Sequence, residues 1–231
     1  MKRSIDILVS FLGILVLWPV LVVLAIWIKL SSPGPVLYRG VRAGRGGVPF
    51  SMLKFRSMVV DAEKLGGPSS SGDDPRITPV GHVMRRFKLD ELPQLINVLR
   101  GDMSLVGPRP EVLSEVAGYT DEQRAVLAVR PGITDWASIW NSDEGAVLEG
   151  AEDPHALYKE LIQPTKLELQ LKYVRELSVL TDVKIIVYTA LKLVRKEWLP
   201  PEIESFGRLL PPEPASPHEE GSVDQDALIE E

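Results

Sequence analysis

The clearest candidates for chemistry are two adjacent carboxylates, Asp90 and Glu91, in the segment Lys88–Glu111. The apolar spacing that follows them predicts a helix that ends at Gly101, with Pro93 in its first turn. Free backbone N–H groups at such a helix start favour negative charge, so both carboxylates can stay ionised and a phosphate can bind there. For an isolated Asp-Glu pair, helix capping is the commoner role.

Basic side chains accompany this pair. Arg85 lies just before it, Arg109 lies in a rigid Gly-Pro-Arg-Pro turn, and Lys54 and Arg56 belong to a KFRSM segment. Surface ion pairs would explain each basic residue separately. A site that handles a pyrophosphate explains them together, because phosphoryl transfer depends on positioning and charge stabilisation. Carboxylates would then hold a divalent cation and supply a nucleophile, while the basic groups would bind phosphate oxygens.

The amino-acid composition limits which kinds of metal site and cross-link the chain can form. The 231 residues include no cysteine and three histidines, which excludes disulfides and thiolate metal sites and disfavours a histidine metal site. Residues 1–60 carry eight Lys or Arg residues against Asp6 alone, a charge balance suited to anionic headgroups and phosphorylated substrates. From Pro200 onward, nine acidic residues stand against Arg208, and this Pro-, Ser- and Glu-rich tail is predicted to be disordered.

A long apolar segment precedes the chemistry. Ile7–Ile28 has 22 residues without a charge, enough to cross a bilayer core of about 30 Å and too long for a signal peptide. Basic residues flank it on both sides, and Pro19 lies near its middle. Because basic flanks stay in the cytoplasm, a hairpin that enters the membrane, breaks near Pro19 and returns satisfies both ends. A kinked single span is the alternative.

Local patterns predict the remaining elements. A β-hairpin is expected from 36–38 and 48–55 around a Gly-rich turn, and a surface loop over 66–79. Helices are expected over 80–87, 89–100 and 121–129, and one or two helices over 163–198.

The last of these helical regions has an apolar stripe with basic residues mostly off it. Such a helix lies on a membrane surface, or it packs on the protein core with a solvated basic face. The stripe consists of Val183, Ile186, Val187, Ala190, Leu191 and Val194.

The sequence resembles the monotopic phosphoglycosyl transferases, also called bacterial sugar transferases, over roughly residues 2–195. The resemblance is densest at KFRSM (54–58), DDPRITPVG (73–81), LDELPQLINVLRGDMSLVGPRPE (89–111) and RPGIT (130–134). Since the chain lacks the extra N-terminal membrane helices of larger members, it resembles the minimal catalytic form.

The resemblance implies a reaction with a covalent intermediate. Asp90 would attack the β-phosphate of a UDP-sugar and release UMP, and a polyprenyl phosphate such as undecaprenyl phosphate would take the phosphosugar from Asp90. Mg²⁺ would assist this transfer, with Asp90 and Glu91 as its ligands. Alternatively, Glu91 would act as the base that helps the lipid phosphate attack. This is the first membrane step of glycoconjugate or exopolysaccharide assembly, on the cytoplasmic face of the bacterial inner membrane.

The remaining implied roles concern binding. Arg109, Arg85, Lys54 and Arg56 would bind phosphate oxygens, and Arg42 would lie near the nucleotide. Membrane lipids are expected partners, nucleic acid is not, and a homodimer is left open.

Four departures from the family pattern lie near functional segments. Trp18 stands where serine commonly precedes the helix-breaking Pro19, so the hairpin angle is open. Gly40 replaces a usual glutamine and Asp135 a usual glycine, in regions we associate with donor selectivity, so the sugar is open too. Phe87-Lys88 replaces a Thr-Ser pair beside the carboxylates.

Together these patterns predict a mostly α monotopic membrane protein with a short β-hairpin and amphipathic interfacial helices. Residues 1–31 form the re-entrant membrane helix, 32–199 the catalytic domain and 200–231 the acidic tail. Two other functions compete with the enzyme: a catalytically idle scaffold for glycan assembly, and a glycosyltransferase without a phosphoenzyme. Intact Asp90, Glu91 and Arg109 argue against the scaffold. The lack of a recognisable nucleotide-binding βαβ unit argues against the glycosyltransferase.

Overall fold

A computed structural model describes residues 1–195 and 197–209 of the chain. The described residues are mostly helical, as the sequence predicts, and they contain two small sheets. The α-helical segments are α1 (Lys2–Ser31), α2 (Ala62–Leu65), α3 (Pro79–Arg86), α4 (Gln94–Arg100), α5 (Leu113–Ala117), α6 (Trp136–Trp140), α7 (Glu144–Val147), α8 (Pro154–Leu157), α9 (Gln163–Arg175) and α10 (Val179–Val194). The strands are β1 (Leu37–Ala43), β2 (Pro49–Phe55), β3 (Ser104–Val106) and β4 (Gly132–Thr134). Tight 3₁₀ turns cover Arg45–Gly47, Leu89–Glu91, Gln123–Ala128 and Glu204–Phe206, and Tyr158–Ile162 is a π-helical turn before α9.

The predicted hairpin is confirmed. Strands β1 and β2 pair antiparallel, with Tyr38 opposite Lys54 and Gly40 opposite Met52. Asn97 of α4 fastens this hairpin to the helix: its side-chain oxygen accepts from the Leu53 N–H at 2.9 Å. The amide nitrogen of Asn97 donates to the carbonyl of Ser51, also in β2, at 2.8 Å. The hairpin and α4 therefore form one rigid support.

The second sheet was not predicted. Strands β3 and β4, three residues each, pair parallel, and Gly107, directly after β3, lies against Gly132, the first residue of β4. A Cβ on Gly132 would lie 2.1 Å from the Gly107 nitrogen, and a Cβ on Gly107 would lie 2.4 Å from the Arg130 carbonyl oxygen. Only glycine fits at either position, and this contact docks the turn that carries Arg109.

Helix α1 is long and apolar enough to cross a membrane by length and composition, and 11% of its most apolar window is buried. The helix continues through Pro19, so the predicted break is not seen as an unwound segment. Proline removes one backbone hydrogen bond, and apolar turns on both sides keep the segment helical. The re-entrant path itself stays a prediction.

Both ends of α1 contact the rest of the chain. Near the N-terminus, the buried Asp6 accepts from the Ser104 hydroxyl at 2.9 Å, and Lys2 donates to the Val106 carbonyl at 3.0 Å. Near the C-terminus, Leu24 and Ile28 are buried in one cluster with side chains of β2 and α3. In between, a Cβ on Gly13 would lie 3.4 Å from Leu95 of α4. One face of α1 thus lies along the folded domain for most of its length.

Helix α10 contacts the rest of the protein through the face that carries Lys184 and Lys192. The predicted apolar stripe is exposed, with Val187 at 49% and Val194 at 84% of full exposure. Lys184 instead pairs with Glu202 at 2.8 Å, and the buried Lys192 donates to the Trp198 carbonyl at 3.0 Å. The alternative of a core-packed stripe with a solvated basic face is therefore wrong for this helix.

The start of the acidic tail needs correction. Disorder was predicted from residue 200, but Ile203 is fully buried in the main core with residues of α6, α9 and α10. Three apolar residues within 200–209 pack against this core and outweigh the acidic composition there. The predicted disorder of 210–231 lies outside the described residues.

Candidate active site

Asp90 and Glu91 lie in the 3₁₀ turn Leu89–Glu91, and α4 begins only at Gln94. The sequence predicted the carboxylates in the first turn of the α-helix itself. Pro93 has no N–H to donate to the Leu89 carbonyl, which instead accepts from the Leu92 N–H at 3.3 Å and tightens the turn. The helix-start argument for charge stabilisation therefore does not apply, and neighbouring side chains must stabilise the carboxylates.

Glu91 is held between two cations. Both of its oxygens accept from the Arg109 guanidinium, Oε2 from Nη1 at 3.3 Å and Oε1 from Nη2. Lys54 donates to Oε1 at 3.0 Å. Burial alone would raise the pKa of Glu91, but the charges of Arg109 and Lys54 outweigh it and hold this pKa well below its usual range. Glu91 is therefore an anion at every physiological pH.

Asp90 is in the opposite situation. Its side chain is buried, the Lys54 ammonium lies 3.9 Å from Oδ2, and Oδ1 has no hydrogen-bond partner among the residues that the structure describes. Burial raises the pKa of Asp90, and the charge of Lys54 opposes this only in part. A buried carboxylate oxygen without a partner is costly, which is expected where a ligand or a reacting atom supplies the missing contact.

Lys54 links the two carboxylates through the position of β2. The hydrogen bonds between Asn97 and β2 fix the distance from this strand to α4, so the Lys54 ammonium reaches both Asp90 and Glu91. The sequence patterns predict the hairpin and the helix separately, but they do not predict that the two elements pack together. Asn97 is the residue that joins them.

Arg109 is positioned by its own backbone. The Arg109 N–H donates to the Asp135 carboxylate at 3.1 Å. Asp135 is fully buried and also accepts from the Ser138 N–H and hydroxyl, both at 2.7 Å, as the N-cap of α6. Asp135, noted in the sequence as a departure from glycine, therefore fastens the Gly-Pro-Arg-Pro turn to α6.

Arg85 lies beneath the site without an ion pair to the carboxylates. Its guanidinium donates to the hydroxyls of Ser57 at 3.2 Å and Ser70 at 2.9 Å. Burial lowers the pKa of Arg85, and the charge of Asp90 is the largest effect that opposes this. Arg85 is thus close enough to Asp90 for the two charges to interact, and its predicted contact with phosphate stays a prediction.

Of the other predicted binding residues, Arg56 is committed away from the carboxylates, and the position of Arg42 near the nucleotide stays a prediction. Arg56 is buried and donates to the carbonyls of Ser32 and Pro33 and to the Ser32 hydroxyl, so it ties β2 to the chain after α1. Strand β2 ends at Phe55, and the alternation that would place Arg56 beside Lys54 ends with it. Arg42, on β1, donates to the carbonyl of its neighbour Val41 at 2.9 Å.

Sequence reasoning missed a buried network next to Arg109. Glu111 accepts from the Tyr158 hydroxyl at 2.9 Å and from Lys166, whose ammonium also donates to Tyr158 at 2.9 Å. Burial raises the pKa of Glu111, but Lys166 outweighs burial and lowers it. The one available signal was the end of the long motif, where Glu111 follows the Gly-Pro-Arg-Pro turn.

The described residues contain no group of three or more His, Cys, Asp or Glu side chains that would hold a metal alone. Asp90 and Glu91 nevertheless fit Mg²⁺, which takes one or two carboxylates and completes its shell with water and substrate phosphates. The partnerless Oδ1 of Asp90 is the atom that supports this fit.

Comparison with known proteins identifies the family. The family model described as bacterial sugar transferase matches residues 1–196. The chain belongs to the bacterial sugar transferase family. Asp90, Glu91 and Arg109 all lie within this matched region.

The similar proteins differ in the sugar that their names specify. The chain is 41% identical over 197 residues to the UDP-glucose:undecaprenyl-phosphate glucose-1-phosphate transferase of Escherichia coli (strain K12), covering 83% of this chain and 40% of that protein. It is 37% identical over 191 residues to the UDP-N-acetylgalactosamine-undecaprenyl-phosphate N-acetylgalactosaminephosphotransferase of Aeromonas hydrophila, covering 81% and 42%. It is 33% identical over 203 residues to the exopolysaccharide production protein ExoY of Sinorhizobium fredii (strain NBRC 101917 / NGR234), covering 81% and 83%. The match thus spans about two fifths of the first two relatives and most of the third.

Proposed function

We propose that this chain transfers a sugar 1-phosphate from a UDP-sugar to a polyprenyl phosphate such as undecaprenyl phosphate, with release of UMP. One observation carries the proposal: a buried Asp90 carboxylate with a partnerless oxygen lies beside Lys54, while adjacent Glu91 is held by Arg109. The names of the relatives support the reaction class, and they differ in the sugar.

In the first half-reaction, an oxygen of Asp90 attacks the β-phosphorus of the donor. The new bond joins this phosphorus to the Asp90 oxygen, and the bond to the oxygen bridging the two phosphates breaks. UMP leaves with the electron pair. Lys54 and Arg85, whose charges act on Asp90, would neutralise the oxygens of the diphosphate.

In the second half-reaction, an oxygen of the polyprenyl phosphate attacks the same phosphorus. The bond to Asp90 breaks, its carboxylate is restored, and the polyprenyl diphosphate sugar leaves. Two displacements let one small site serve a soluble donor and a lipid acceptor in turn. Mg²⁺, held by Asp90 and Glu91, would supply additional positive charge at the diphosphate.

The covalent route has a direct test. Purified protein in detergent with Mg²⁺ and a panel of UDP-sugars, including UDP-glucose and UDP-N-acetylgalactosamine, should release UMP and gain the mass of one phosphosugar. Asp90→Asn should do neither, whereas Asp121→Asn, at an exposed aspartate, should behave like wild type. UMP release that persists in Asp90→Asn would refute the nucleophile assignment, and UDP as the product would favour the glycosyltransferase.

A re-entrant anchor in one leaflet of the inner membrane, with the domain on the cytoplasmic side, completes the proposal. It is supported by the contacts of α1, a helix of about 45 Å whose two ends and middle all meet the same domain. A straight span would carry one end away from the domain across about 30 Å of hydrocarbon. The exposed apolar stripe of α10 supports contact with membrane lipids as well.

The absence of cysteine from the sequence makes the topology testable. Ser4→Cys and Arg39→Cys, at exposed positions on either side of the apolar segment, introduce one thiol each. A membrane-impermeant maleimide should label both from the cytoplasmic side. Labelling from opposite sides would establish a single span instead.

A further inference from the structure

Lys88 is held in an unusual backbone conformation directly before the two carboxylates. Its φ of 56° and ψ of 22° lie in the left-handed region, where glycine and asparagine are favoured over lysine. The conformation is fixed from both sides, because the Lys88 N–H donates to Arg85 at 3.1 Å and its carbonyl accepts from Glu91 at 3.2 Å. A long cationic side chain at a left-handed position next to a reactive group indicates a function for that side chain.

The Lys88 ammonium is uncommitted within residues 1–195 and 197–209. The ion pairs of Asp90 and Glu91 go to Lys54 and Arg109, and Lys88 forms none there. Its side chain keeps contact with solvent, while packing around it lowers its pKa and the charge of Glu91 opposes that change. The charge of Lys88 also acts on Asp90. Lys88 is thus a cation close to the nucleophile, and no other residue in the described part of the chain pairs with it.

Lys88 lies next to a segment that packs against the anchor helix α1. The next residue, Leu89, packs against the cluster that contains Leu24 and Ile28 of α1. The preceding residue, Phe87, is 57% exposed. Lys54 and Arg109 are already paired with Glu91, whereas Lys88, which adjoins this α1-facing segment, forms no ion pair among the described residues.

A lipid phosphate must approach Asp90 from the side of α1. Its hydrocarbon chain stays in the bilayer with α1, and its phosphate has to meet the phosphosugar on Asp90. Both groups are anionic, and their repulsion opposes the attack unless a cation lies between them.

We propose that Lys88 binds the phosphate of the polyprenyl acceptor and positions it for the second half-reaction. This inference rests on the proposed function. The oxygen of the acceptor phosphate forms the new bond to phosphorus and the Asp90 oxygen leaves, while Lys88 keeps its proton and donates hydrogen bonds to the acceptor. The alternative phosphate is the diphosphate of the donor, and the two half-reactions distinguish these sources.

The test uses Lys88→Asn, which removes the charge and tolerates the left-handed backbone. Lys88→Gly is the second variant if asparagine impairs folding. The matched control is Arg86→Asn, which removes an equal charge two residues away, from an exposed side chain that lies over the Phe87 ring. UMP released without acceptor reports the first half-reaction, and transfer to polyprenyl phosphate of defined length reports the second.

Lys88→Asn should raise the acceptor KM by about tenfold or more, as expected for a lost charge-assisted hydrogen bond. The donor KM should change by less than about threefold, and Lys88→Arg should recover most of the acceptor affinity. The thermal shift produced by polyprenyl phosphate should shrink in the same variant. Arg86→Asn should match wild type in all these measurements.

Three results would overturn the inference. An unchanged acceptor KM in Lys88→Asn would exclude the contact, and a rise confined to the donor KM would assign Lys88 to the diphosphate. An equal loss in Arg86→Asn would reduce the effect to general surface charge. Wild-type protein that releases no UMP would refute the proposed function and this inference with it, whereas the first three results leave the proposed function intact.

Discussion

The carboxylates of Asp90 and Glu91 are adjacent in the chain, and their pKa values are displaced in opposite directions. Burial without a hydrogen bond to Oδ1 raises that of Asp90, while Arg109 and Lys54 lower that of Glu91 despite its burial. Environments that separate the pKa values of two neighbouring groups assign different roles to them. Glu91 supplies a fixed negative charge, and Asp90 is the group that gains when an electrophile or a cation arrives.

Asp90→Asn should abolish transfer and at the same time stabilise the protein. The folded-state pKa of Asp90 is raised, so its contribution to stability is complete below the unfolded pKa and is lost as pH rises through the folded value. At pH 7, above the unfolded pKa, burial of this carboxyl therefore costs stability. Replacing it by an amide should raise the melting temperature by a few degrees, on the order of 1 kcal/mol.

Thermal melts of detergent-solubilised protein between pH 4 and 8 measure this effect. The advantage of Asp90→Asn should shrink as the pH falls through the raised pKa of Asp90 in the folded wild type. Asp121→Asn, at an exposed position, should leave the melting temperature unchanged across the range. A melting temperature for Asp90→Asn below that of wild type at pH 7 would show that the carboxylate stabilises the fold.

The ion pair between Glu91 and Arg109 should behave as a coupled unit. Glu91→Gln leaves two cations without their partner, so we expect a loss of roughly 2–4 kcal/mol, and a similar loss for Arg109→Gln. The double variant should lose less than the sum of the two by about 1–3 kcal/mol. Unfolding in denaturant measures this cycle, and additive losses would contradict the coupling.

A matched surface pair provides the control for that cycle. Arg175 and Glu122 lie 3.0 Å apart, with 66% and 73% of their side chains exposed. Glu122→Gln should have no measurable effect on unfolding, because solvent screens such a pair and ordering two long side chains costs entropy.

Local sequence patterns predict the elements that rest on local interactions. The hairpin, α3 and the two C-terminal helices follow from apolar spacing and turn residues, as does Gly101, which ends α4 with a φ of 93°. The parallel pair of β3 and β4 could not be predicted, because it depends on the contact between Gly107 and Gly132 across 25 residues of sequence. Interactions of this kind leave no period in the sequence.

The residues of the site divide in the same way into those that a local motif identifies and those whose position depends on long-range contacts. Motif positions identify Asp90, Glu91 and Arg109 as candidates. In the structure Arg109 pairs with Glu91, and the buried Asp90 precedes Glu91 in the same turn. Strand alternation pairs Lys54 with Arg56, but β2 ends between them and the two side chains diverge. The contact of Ile203 with the core likewise overrides the acidic composition around it.

Arg56→Lys should weaken the attachment of α1 to the domain. A lysine cannot donate from a planar fork to the carbonyls of Ser32 and Pro33 and to the Ser32 hydroxyl together, so we expect a loss of about 1–2 kcal/mol of stability. The donor KM should stay unchanged. Lys54→Gln, by comparison, should raise the donor KM or lower kcat strongly. A large rise of the donor KM in Arg56→Lys would restore Arg56 to the substrate site.

Asp135→Ala should lower activity through Arg109 without touching a substrate. The Arg109 N–H and the cap of α6 would lose their shared acceptor in a fully buried position, which should cost roughly 2–3 kcal/mol of stability. A less rigid Gly-Pro-Arg-Pro turn should lower kcat by about tenfold, with a smaller change in donor KM. Asp143→Ala, which removes the exposed N-cap of α7, should cost about 1 kcal/mol or less and keep kcat. Melting temperatures and UMP release measured on both variants make the comparison, and an equal kcat loss in both would refute the positioning role of Asp135.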